Sequence, residues 1–352
     1  MYIAAAIIIF GLLVMIHELG HFTACRIFRV RVNEFSLGMG PALFKKQGKE
    51  TLFALRCLPF GGYCAIEGED GESTEPGSLA LASLWKKLIV LSAGAAMNFI
   101  AGFVIVAITL SFGKAYPTLK VTGFMDEAVA EETGVMEGDR IASLDGHSVN
   151  LFSEFRLFAS RADNPAGVEL EVIRNGERVK LGLVPLALRE FEENGATVQR
   201  YGFYFAVEPR SLGSVLRQSA YNCGFFVRLV WMGLSDLVHG RVAARDMSGA
   251  VGMVAALNEA GERAESAGEG LLNVFFLGAF IAVNLAVMNM LPIPGLDGGH
   301  VFTMAVSAAL AKLLRRKLDP KVENYIHAAG LVLLLGFMLF LTGSDIWRIV
   351  AE

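Results

Sequence analysis

The feature that most constrains this chain is a set of four apolar stretches without Asp, Glu, Lys or Arg: residues 2–16, 88–112, 271–291 and 326–342. A helix of about 20 apolar residues crosses the roughly 30 Å hydrocarbon layer of a bilayer. The whole chain is 54% hydrophobic and only 19% charged, which is unusual for a soluble domain. We therefore predict a polytopic α-helical membrane protein with four transmembrane helices.

A His-Glu-x-x-His motif directly follows the first apolar stretch. His17 and His21 are four residues apart, so on a helix they lie on one face and can share a metal ion. Glu18 lies one position round the helix, where its carboxylate can reach a water molecule beside the metal. The motif predicts a metal centre with Glu18 as the catalytic base, near the far end of the first span.

A second group of polar residues interrupts the third apolar stretch. Asn284 and Asn289 need hydrogen-bond partners inside an apolar helix. Pro292 breaks helical hydrogen bonding, which is tolerated at membrane depth where the backbone lines a protein cavity. This pattern predicts that the end of the third span faces a cavity instead of lipid.

The third metal ligand is predicted from the residues that follow this break. Asp297 is a carboxylate in or beside a membrane span, where binding a cation offsets the cost of its charge. Two His and one carboxylate form a zinc ligand set that leaves a position open for water. We predict Zn2+ at His17, His21 and Asp297, with His300 as the less favoured alternative to Asp297.

Positive charge predicts which way the spans run. Nine Lys and Arg residues lie between the first two spans: Arg26, Arg29, Arg31, Lys45, Lys46, Lys49, Arg56, Lys86 and Lys87. Such an excess is typical of a cytoplasmic loop, so both termini are expected outside and the metal centre near the cytoplasmic face. No basic residue precedes the first stretch, and no cleavage site follows it, so we expect a retained helix instead of a signal peptide.

The loop between the first two spans contains short runs typical of strands, at residues 32–37 and 51–56, with Gly and Pro turns around them. They predict a small β-sheet on the cytoplasmic side. This sheet either lies on the membrane surface or dips beside the metal centre and offers an edge to an extended substrate. Residues 67–77 are acidic and rich in Gly and Ser, and they predict a mobile loop.

Asn98 is the one strongly polar residue of the second span. It either forms a hydrogen bond between helices or lines the metal site and contacts substrate. Gly94 and its small neighbours permit another helix to approach closely.

Beyond Gly113 the pattern changes to that of a soluble module. It predicts strands at 120–125, 140–144, 168–174 and 178–184, with helices at 128–133 and 152–160. Further on, residues 221–238 are apolar but include Arg228 and Asp236, which favours a helix on the membrane surface. Residues 260–269 are polar and predict a loop.

Nearly the whole chain resembles the site-2 proteases, which are intramembrane zinc metalloproteases, in particular the bacterial regulator of sigma-E protease type. The matching features are His17-Glu18-x-x-His21, Gly94-x-x-x-Asn98, the run 248–252, Asn289-x-x-Pro292 and Asp297-Gly298. The run 134–146 is similar to the PDZ domain of bacterial proteases. Two positions depart from the family pattern, Ala95 and Ala250, where the family often has Pro.

The resemblance implies an enzyme of the inner membrane that cleaves single-span membrane proteins, such as anti-sigma factors or remnant signal peptides. It implies zinc at His17, His21 and Asp297 and catalysis by Glu18. It also implies substrate binding near Asn284 and Asn289, and we place the residues Pro292 and Asn98 in the same group.

These expectations divide the chain into four parts: 1–112 and 270–352 as membrane halves, 116–187 as a PDZ-like domain, and 188–269 as a connecting region. Two other functions stay open: a membrane metal carrier or sensor, and an inactive scaffold that binds through the PDZ-like domain.

The net charge of -4 gives no basic surplus for nucleic acid. The four cysteines are too scattered for a disulfide framework, with a joint role of Cys57 and Cys64 the minor alternative.

Overall fold

The computed structural model describes residues 2–69, 73–161, 164, 166–193, 196–243, 249–314 and 320–351. The chain divides into two compact units, and each is described by itself. The first unit comprises Met1–Thr109 and Phe226–Glu352, and the second comprises Leu110–Phe225.

Nine α-helices are found in the described residues: α1 (Tyr2–Phe28), α2 (Leu84–Ser111), α3 (Glu127–Thr133), α4 (Phe152–Ser160), α5 (Leu212–Val238), α6 (Ala250–Glu262), α7 (Ala267–Asn289), α8 (Asp297–Leu314) and α9 (Pro320–Ala351). Four contain segments that are long and apolar enough to cross a membrane: Tyr2–Phe28, Leu84–Ser111, Ala267–Asn289 and Lys321–Arg348. The prediction of four helices that are long and apolar enough to span a membrane is therefore confirmed.

Several helices extend beyond the stretches that predicted them. The helix predicted at 221–238 begins at Leu212. The loop predicted at 260–269 is wrong for most of its length, because α6 continues to Glu262 and α7 begins at Ala267. Ser266 starts α7 early, since its side chain accepts a hydrogen bond from the Glu269 N–H at 3.2 Å. The polar character of these residues comes from exposed helix ends.

The loop between α1 and α2 forms a sheet from two long, bent strands, β1 (Val32–Gln47) and β2 (Leu52–Ile66). The bends occur where glycines take positive φ, at 82° for Gly38 and 77° for Gly61. Because of the bends, 32–37 pairs with both 52–55 and 62–66, and 42–47 pairs with 52–56. The order across the sheet is therefore 62–66, 32–37, 52–56, 42–47, and 62–66 lies at one edge. A sheet at this place was predicted.

Two buried clusters hold the first unit together. One joins α1 to α6 and α7 through residues including Leu13, Leu257 and Ile281. The other joins the end of α1 to the sheet and to α2 through residues including Cys25, Cys64 and Val90. The sheet is thus packed against the half of α1 that carries the His-Glu-x-x-His motif.

The second unit contains α3, α4 and eight strands: β3 (Ala115–Phe124), β4 (Arg140–Leu144), β5 (His147–Ser148), β6 (Val168–Arg174), β7 (Glu177–Val184), β8 (Arg189–Glu193), β9 (Ala196–Arg200) and β10 (Phe203–Pro209). The main sheet has the order β10-β3-β4-β6-β7, with β5 paired to β4, while β8 and β9 form a separate hairpin. The predicted strands and helices of this unit are all found with their ends shifted by at most one residue, except that β3 begins at Ala115 instead of Lys120.

The second unit is longer than the 116–187 predicted for it. Strand β10 pairs with β3 along the edge of the main sheet, from Phe203 opposite Phe124 to Pro209 opposite Ala115. This segment was predicted as part of a connecting region, and it is instead a strand of the module. Local pattern could not assign it, because the partner strand lies about ninety residues earlier in the chain.

Candidate metal centre

Three predicted ligands meet inside the first unit. His17 Nε2 lies 3.2 Å from His21 Nε2, and Asp297 Oδ2 lies 3.2 Å from His17 Nε2 and 3.3 Å from His21 Nε2. The two imidazoles come from consecutive turns of α1, and Asp297 is the first residue of α8. The three atoms therefore form a nearly equilateral triangle, although Asp297 lies 276 positions after His21 in the sequence.

This triangle fits a zinc ion. Ligand atoms about 2.0–2.2 Å from a tetrahedral zinc ion lie about 3.3–3.6 Å from one another, which is close to the spacing observed. Asp297 Oδ2 is buried and has no hydrogen-bond partner among the described residues. A buried carboxylate oxygen without a hydrogen bond, facing two imidazole nitrogens, is what a cation would neutralise.

Two glycines provide the space for this arrangement. A Cβ atom at Gly20 would clash with the carbonyl oxygen of Ala93, so α1 and α2 touch backbone to backbone there. A Cβ atom at Gly94 would clash with His21 Nε2 and would also lie 2.6 Å from His17 Cε1. Both imidazoles therefore pack directly against the backbone of Gly94, the first residue of the Gly94-x-x-x-Asn98 pattern.

Helices α2 and α7 supply partners for the outer nitrogens of the two imidazoles. His21 Nδ1 lies 2.8 Å from the carbonyl oxygen of Val90, to which it can donate. His17 Nδ1 lies 3.4 Å from Asn98 Nδ2 and 3.5 Å from Asn289 Nδ2. A second hydrogen bond of this kind fixes the tautomer and orientation of a metal-binding histidine. Sequence reasoning did not find Val90, because the contact uses its backbone.

The amide of Asn98 has an unsatisfied atom. Its Oδ1 is buried and has no hydrogen-bond partner among the described residues. A half-turn of the amide exchanges the positions of its oxygen and nitrogen. Oδ1 would then face His17 Nδ1, which must carry a proton whenever Nε2 binds a metal.

Glu18 lies between the ligands and the edge of the sheet. It is close enough to His17, His21 and Asp297 to interact with their charges, and its carboxylate accepts a hydrogen bond from the backbone N–H of Cys64. A Cβ atom at Gly62 would lie 3.7 Å from Glu18 Cγ. Segment 62–66 therefore runs past the predicted catalytic base.

The other predicted residues take different places. α7 ends at Asn289, before Pro292, and Pro292 itself is exposed. Asn284 is half-buried in α7, and in the described part of the chain no hydrogen bond joins its side chain to His17, His21 or Asp297. His300 is outside the triangle, and its ring stacks on that of His327 with 3.6 Å between centroids. Within the motif 248–252, Ser248 lies outside the described residues.

All four cysteines are free thiols, and Cys57 is exposed whereas Cys64 is buried. The contact that Cys64 makes with Glu18 uses its backbone N–H. The structure therefore gives these two cysteines no joint role.

Comparison with known proteins places the chain in a family. The model of peptidase family M50 matches residues 5–337. Relatives named "Putative zinc metalloprotease" include one from Nostoc sp. PCC 7120, 32% identical over 100% of this chain and 98% of the relative. Others are from Clostridium perfringens, at 31% identity over 98% of each chain, and from Fusobacterium nucleatum, at 29% over 98% of each.

The match covers all of α1, apart from its first residues, together with the loop that carries Asp297. The ligand triangle and the adjacent glutamate agree with the zinc metalloprotease chemistry named in the relatives. The chain therefore belongs to peptidase family M50, the site-2 protease family, and is a zinc metalloprotease.

Proposed function

We propose that this zinc metalloprotease hydrolyses peptide bonds within or next to the transmembrane segments of single-span membrane proteins. The observation that carries the proposal is the position of the site: two zinc ligands and Glu18 lie on α1, which is itself a candidate membrane span. The third ligand follows α7, another candidate span. A substrate inside the bilayer would reach such a site without leaving the membrane.

Glu18 is the residue that moves the proton. Zinc held by His17, His21 and Asp297 would lower the pKa of a water molecule toward about 7 and polarise the substrate carbonyl. Glu18 accepts one proton from the attacking water molecule while the oxygen of that water bonds to the carbonyl carbon. The same carboxyl then gives that proton to the amine nitrogen as the C–N bond breaks. The Cys64 N–H holds the carboxylate in place for both transfers.

The edge of the sheet is the proposed binding surface for an extended substrate. Among the described residues, segment 62–66 pairs only with the 32–37 part of β1, so its outer edge is unpaired. The Cys64 N–H points from this outer edge to Glu18. A substrate strand added there would pass beside the catalytic base with its helix unwound, because strand pairing and helical hydrogen bonds exclude each other.

The asparagines have two proposed roles. Asn98 holds His17 in its zinc-binding orientation, because its amide lies against Nδ1 of that ring. This contact favours support of the ligand over direct binding of substrate by Asn98. Asn289, Asn284 and Pro292 are proposed to line the path of the substrate at the end of α7, as the family resemblance implies.

Sidedness and partners follow from charge and resemblance. The basic loop between α1 and α2 would face the cytoplasm of a bacterial cell, with the zinc site near that face of the inner membrane. The second unit, proposed to be PDZ-like, would then lie outside and restrict which proteins approach. Anti-sigma factors and remnant signal peptides are the proposed substrates, and no nucleic acid partner is proposed.

The proposal is tested by mapping cleavage positions. Single-span model proteins are incubated with the purified protein in detergent, and products are located by mass spectrometry. We expect cuts inside or within a few residues of the span, abolished by chelation and restored by zinc. Cuts confined to loops far from the span would refute an intramembrane protease. Bound zinc without any cleavage would favour the carrier or scaffold function.

A further inference from the structure

A second group of polar side chains lies near the zinc site but outside the ligand triangle. His300 and Thr303 of α8 meet Glu323 and His327 of α9. The rings of His300 and His327 are parallel within 3°. His327 and Thr303 are both buried, with 7% and 8% of their surface exposed. The chemistry proposed above uses none of these four residues.

Hydrogen bonds fix the ring of His327 from both sides. Its Nδ1 accepts from the Gly295 N–H at 3.2 Å, and its Nε2 lies 3.2 Å from Thr303 Oγ1. Thr303 Oγ1 in turn donates to Glu323 Oε1 at 2.7 Å. Because Nδ1 accepts, the neutral ring carries its proton on Nε2 and donates it to Thr303. The chain of bonds therefore specifies one tautomer.

Gly295 belongs to the loop that presents the third zinc ligand. The loop connects α7 to α8 and ends two residues after Gly295, at Asp297. Helix α9 packs closely against it: a Cβ atom at Gly330 would clash with the Pro294 carbonyl, and one at Gly295 would lie 2.8 Å from the Leu331 nitrogen. Within the loop, the Ile293 N–H donates to the Leu291 carbonyl at 2.7 Å and the Leu296 N–H donates to the Ile293 carbonyl at 3.2 Å. The Gly295 N–H donates to His327 instead, so this bond and the close glycine contacts hold the loop against α9.

We propose that His327 is a positioning residue for the zinc site. By accepting a hydrogen bond from the Gly295 N–H, it sets the position and orientation of the Asp297 carboxylate relative to zinc. Thr303 and Glu323 keep the ring in the accepting tautomer, and His300 keeps it from rotating by stacking on its face. His327 acts only through the loop and touches neither zinc nor substrate.

The same cluster could be interpreted as a second metal site, since His300, Glu323 and His327 offer ligand atoms within 4.8 Å of one another. The geometry is against it. Both nitrogens of His327 already have protein partners. The lone pairs of an imidazole lie in the ring plane, so two stacked parallel rings do not point at one ion.

The test compares three substitutions that separate the two nitrogens of His327. In His327→Asn, the side-chain oxygen lies near the position of Nδ1 and can still accept from the Gly295 N–H. In His327→Gln, the side-chain amide lies near the position of Nε2 and keeps only the contact with Thr303. His327→Leu removes both contacts. The zinc dissociation constant of each full-length protein in detergent is measured by competition with a chelator, and thermal unfolding is measured after zinc removal.

We expect His327→Asn to bind zinc within about threefold of the unsubstituted protein, and His327→Gln and His327→Leu to bind it about 10–100-fold more weakly. A purely structural role would weaken zinc binding in proportion to the loss of thermal stability, which all three variants share. Rescue by Asn alone is therefore the diagnostic result. Equal weakening in Asn and Leu, or unchanged affinity in Gln and Leu, would overturn the proposal.

Two further measurements keep the proposal falsifiable if the His327 variants fail to fold. Thr303→Val removes the Nε2 partner of His327, together with the hydrogen bonds of Thr303 Oγ1 to Glu323 Oε1 and to the His300 carbonyl, and leaves the Nδ1 contact with Gly295. We expect zinc binding weakened several-fold, less than in His327→Leu. Unchanged affinity in Thr303→Val would contradict the tautomer argument. Metal analysis should give one zinc per chain before and after His300→Ala. A second zinc that disappears with His300 would identify a metal site and overturn the positioning role.

Discussion

The two histidines of the proposed zinc site differ in what holds their outer nitrogen. His21 Nδ1 has the carbonyl of Val90 at 2.8 Å, a contact that no side-chain substitution removes. His17 Nδ1 depends on side-chain amides, of which Asn98 is the nearer at 3.4 Å. The Oδ1 atom of Asn98 is buried and lacks a hydrogen-bond partner in the part of the chain that the structure describes. The orientation of His17 is therefore the more vulnerable of the two.

Substitution of Asn98 tests this difference. Asn98→Leu removes the acceptor for the His17 Nδ1 proton, and we expect about 10–100-fold weaker zinc binding, measured by chelator competition. Asn98→Asp keeps an oxygen at the same place and should bind zinc within a few-fold of the unsubstituted protein. If Asn98→Leu keeps full zinc affinity but cleaves poorly, Asn98 contacts substrate instead.

The candidate ligands and the candidate base could be selected from the sequence because the proposed chemistry restricts them to few residue types. His17, His21 and Glu18 have fixed spacing on a helix, and Asp297 is costly in a membrane unless it binds a cation. The role of Gly94 could not be predicted in this detail: the absence of a side chain has meaning only once both imidazoles are seen above it. The hydrogen bond from the Cys64 N–H to Glu18 could not be predicted either, because nearly every residue carries the same backbone N–H group.

Among the elements, the sheet between α1 and α2 differs most from what its sequence pattern predicts. Two short strands were expected, and bends at Gly38 and Gly61 turn two long strands into four paired segments. Only this folding back brings segment 62–66 to the edge beside Glu18. The sequence pattern shows which stretches favour strands, but the order of the segments in the sheet depends on where a strand bends.

Strand addition at segment 62–66 predicts a period of two in the substrate. N-methylation of single amides removes one donor at a time from a model substrate. We expect kcat/KM to fall about fivefold at every second residue near the scissile bond, since a hydrogen bond contributes about 1 kcal/mol. The intervening residues should tolerate methylation, as should residues far from the cut, which serve as the control. Equal effects at consecutive residues would rule out strand pairing.

The second unit contains an ion pair that should make its stability depend on pH. Burial of Asp139 disfavours its charge, but hydrogen bonds from Arg174 and the Met136 N–H, with the charge of Arg174, outweigh burial and hold the Asp139 pKa below its ordinary value. The carboxylate thus stabilises the unit above the unfolded pKa of about 4, and this stabilisation is lost as pH falls through the lower folded pKa.

Asp139→Asn should remove this dependence. We expect the free energy of opening β4 and β6 to fall by about 1–3 kcal/mol at pH 7, measured by hydrogen exchange in the full chain. The difference between Asp139→Asn and the unsubstituted protein should shrink as the pH is lowered below about 4. Glu171→Gln is a suitable control, because the pair of Glu171 with Arg178 is more exposed. A difference that does not change with pH would contradict the ion-pair argument.

At the scale of the whole molecule, charge predicts how the chain is threaded through the membrane. Single cysteines at Lys46 and Glu177, placed in a chain without its native cysteines, report the side of the basic loop and of the second unit. In intact cells, a thiol reagent that does not cross the membrane should label Glu177→Cys and spare Lys46→Cys until the cells are opened. The reverse pattern would invert the proposed topology.

In the proposed mechanism, Glu18 moves the proton while His17, His21 and Asp297 hold zinc. The most direct measurement is zinc content and cleavage of one model substrate on the same samples of unsubstituted protein and Glu18→Gln. We predict about one zinc per chain in both, with cleavage by Glu18→Gln reduced about 10²–10⁴-fold, which is the typical contribution of general acid–base catalysis. A zinc-loaded Glu18→Gln protein that still cleaves would contradict this account.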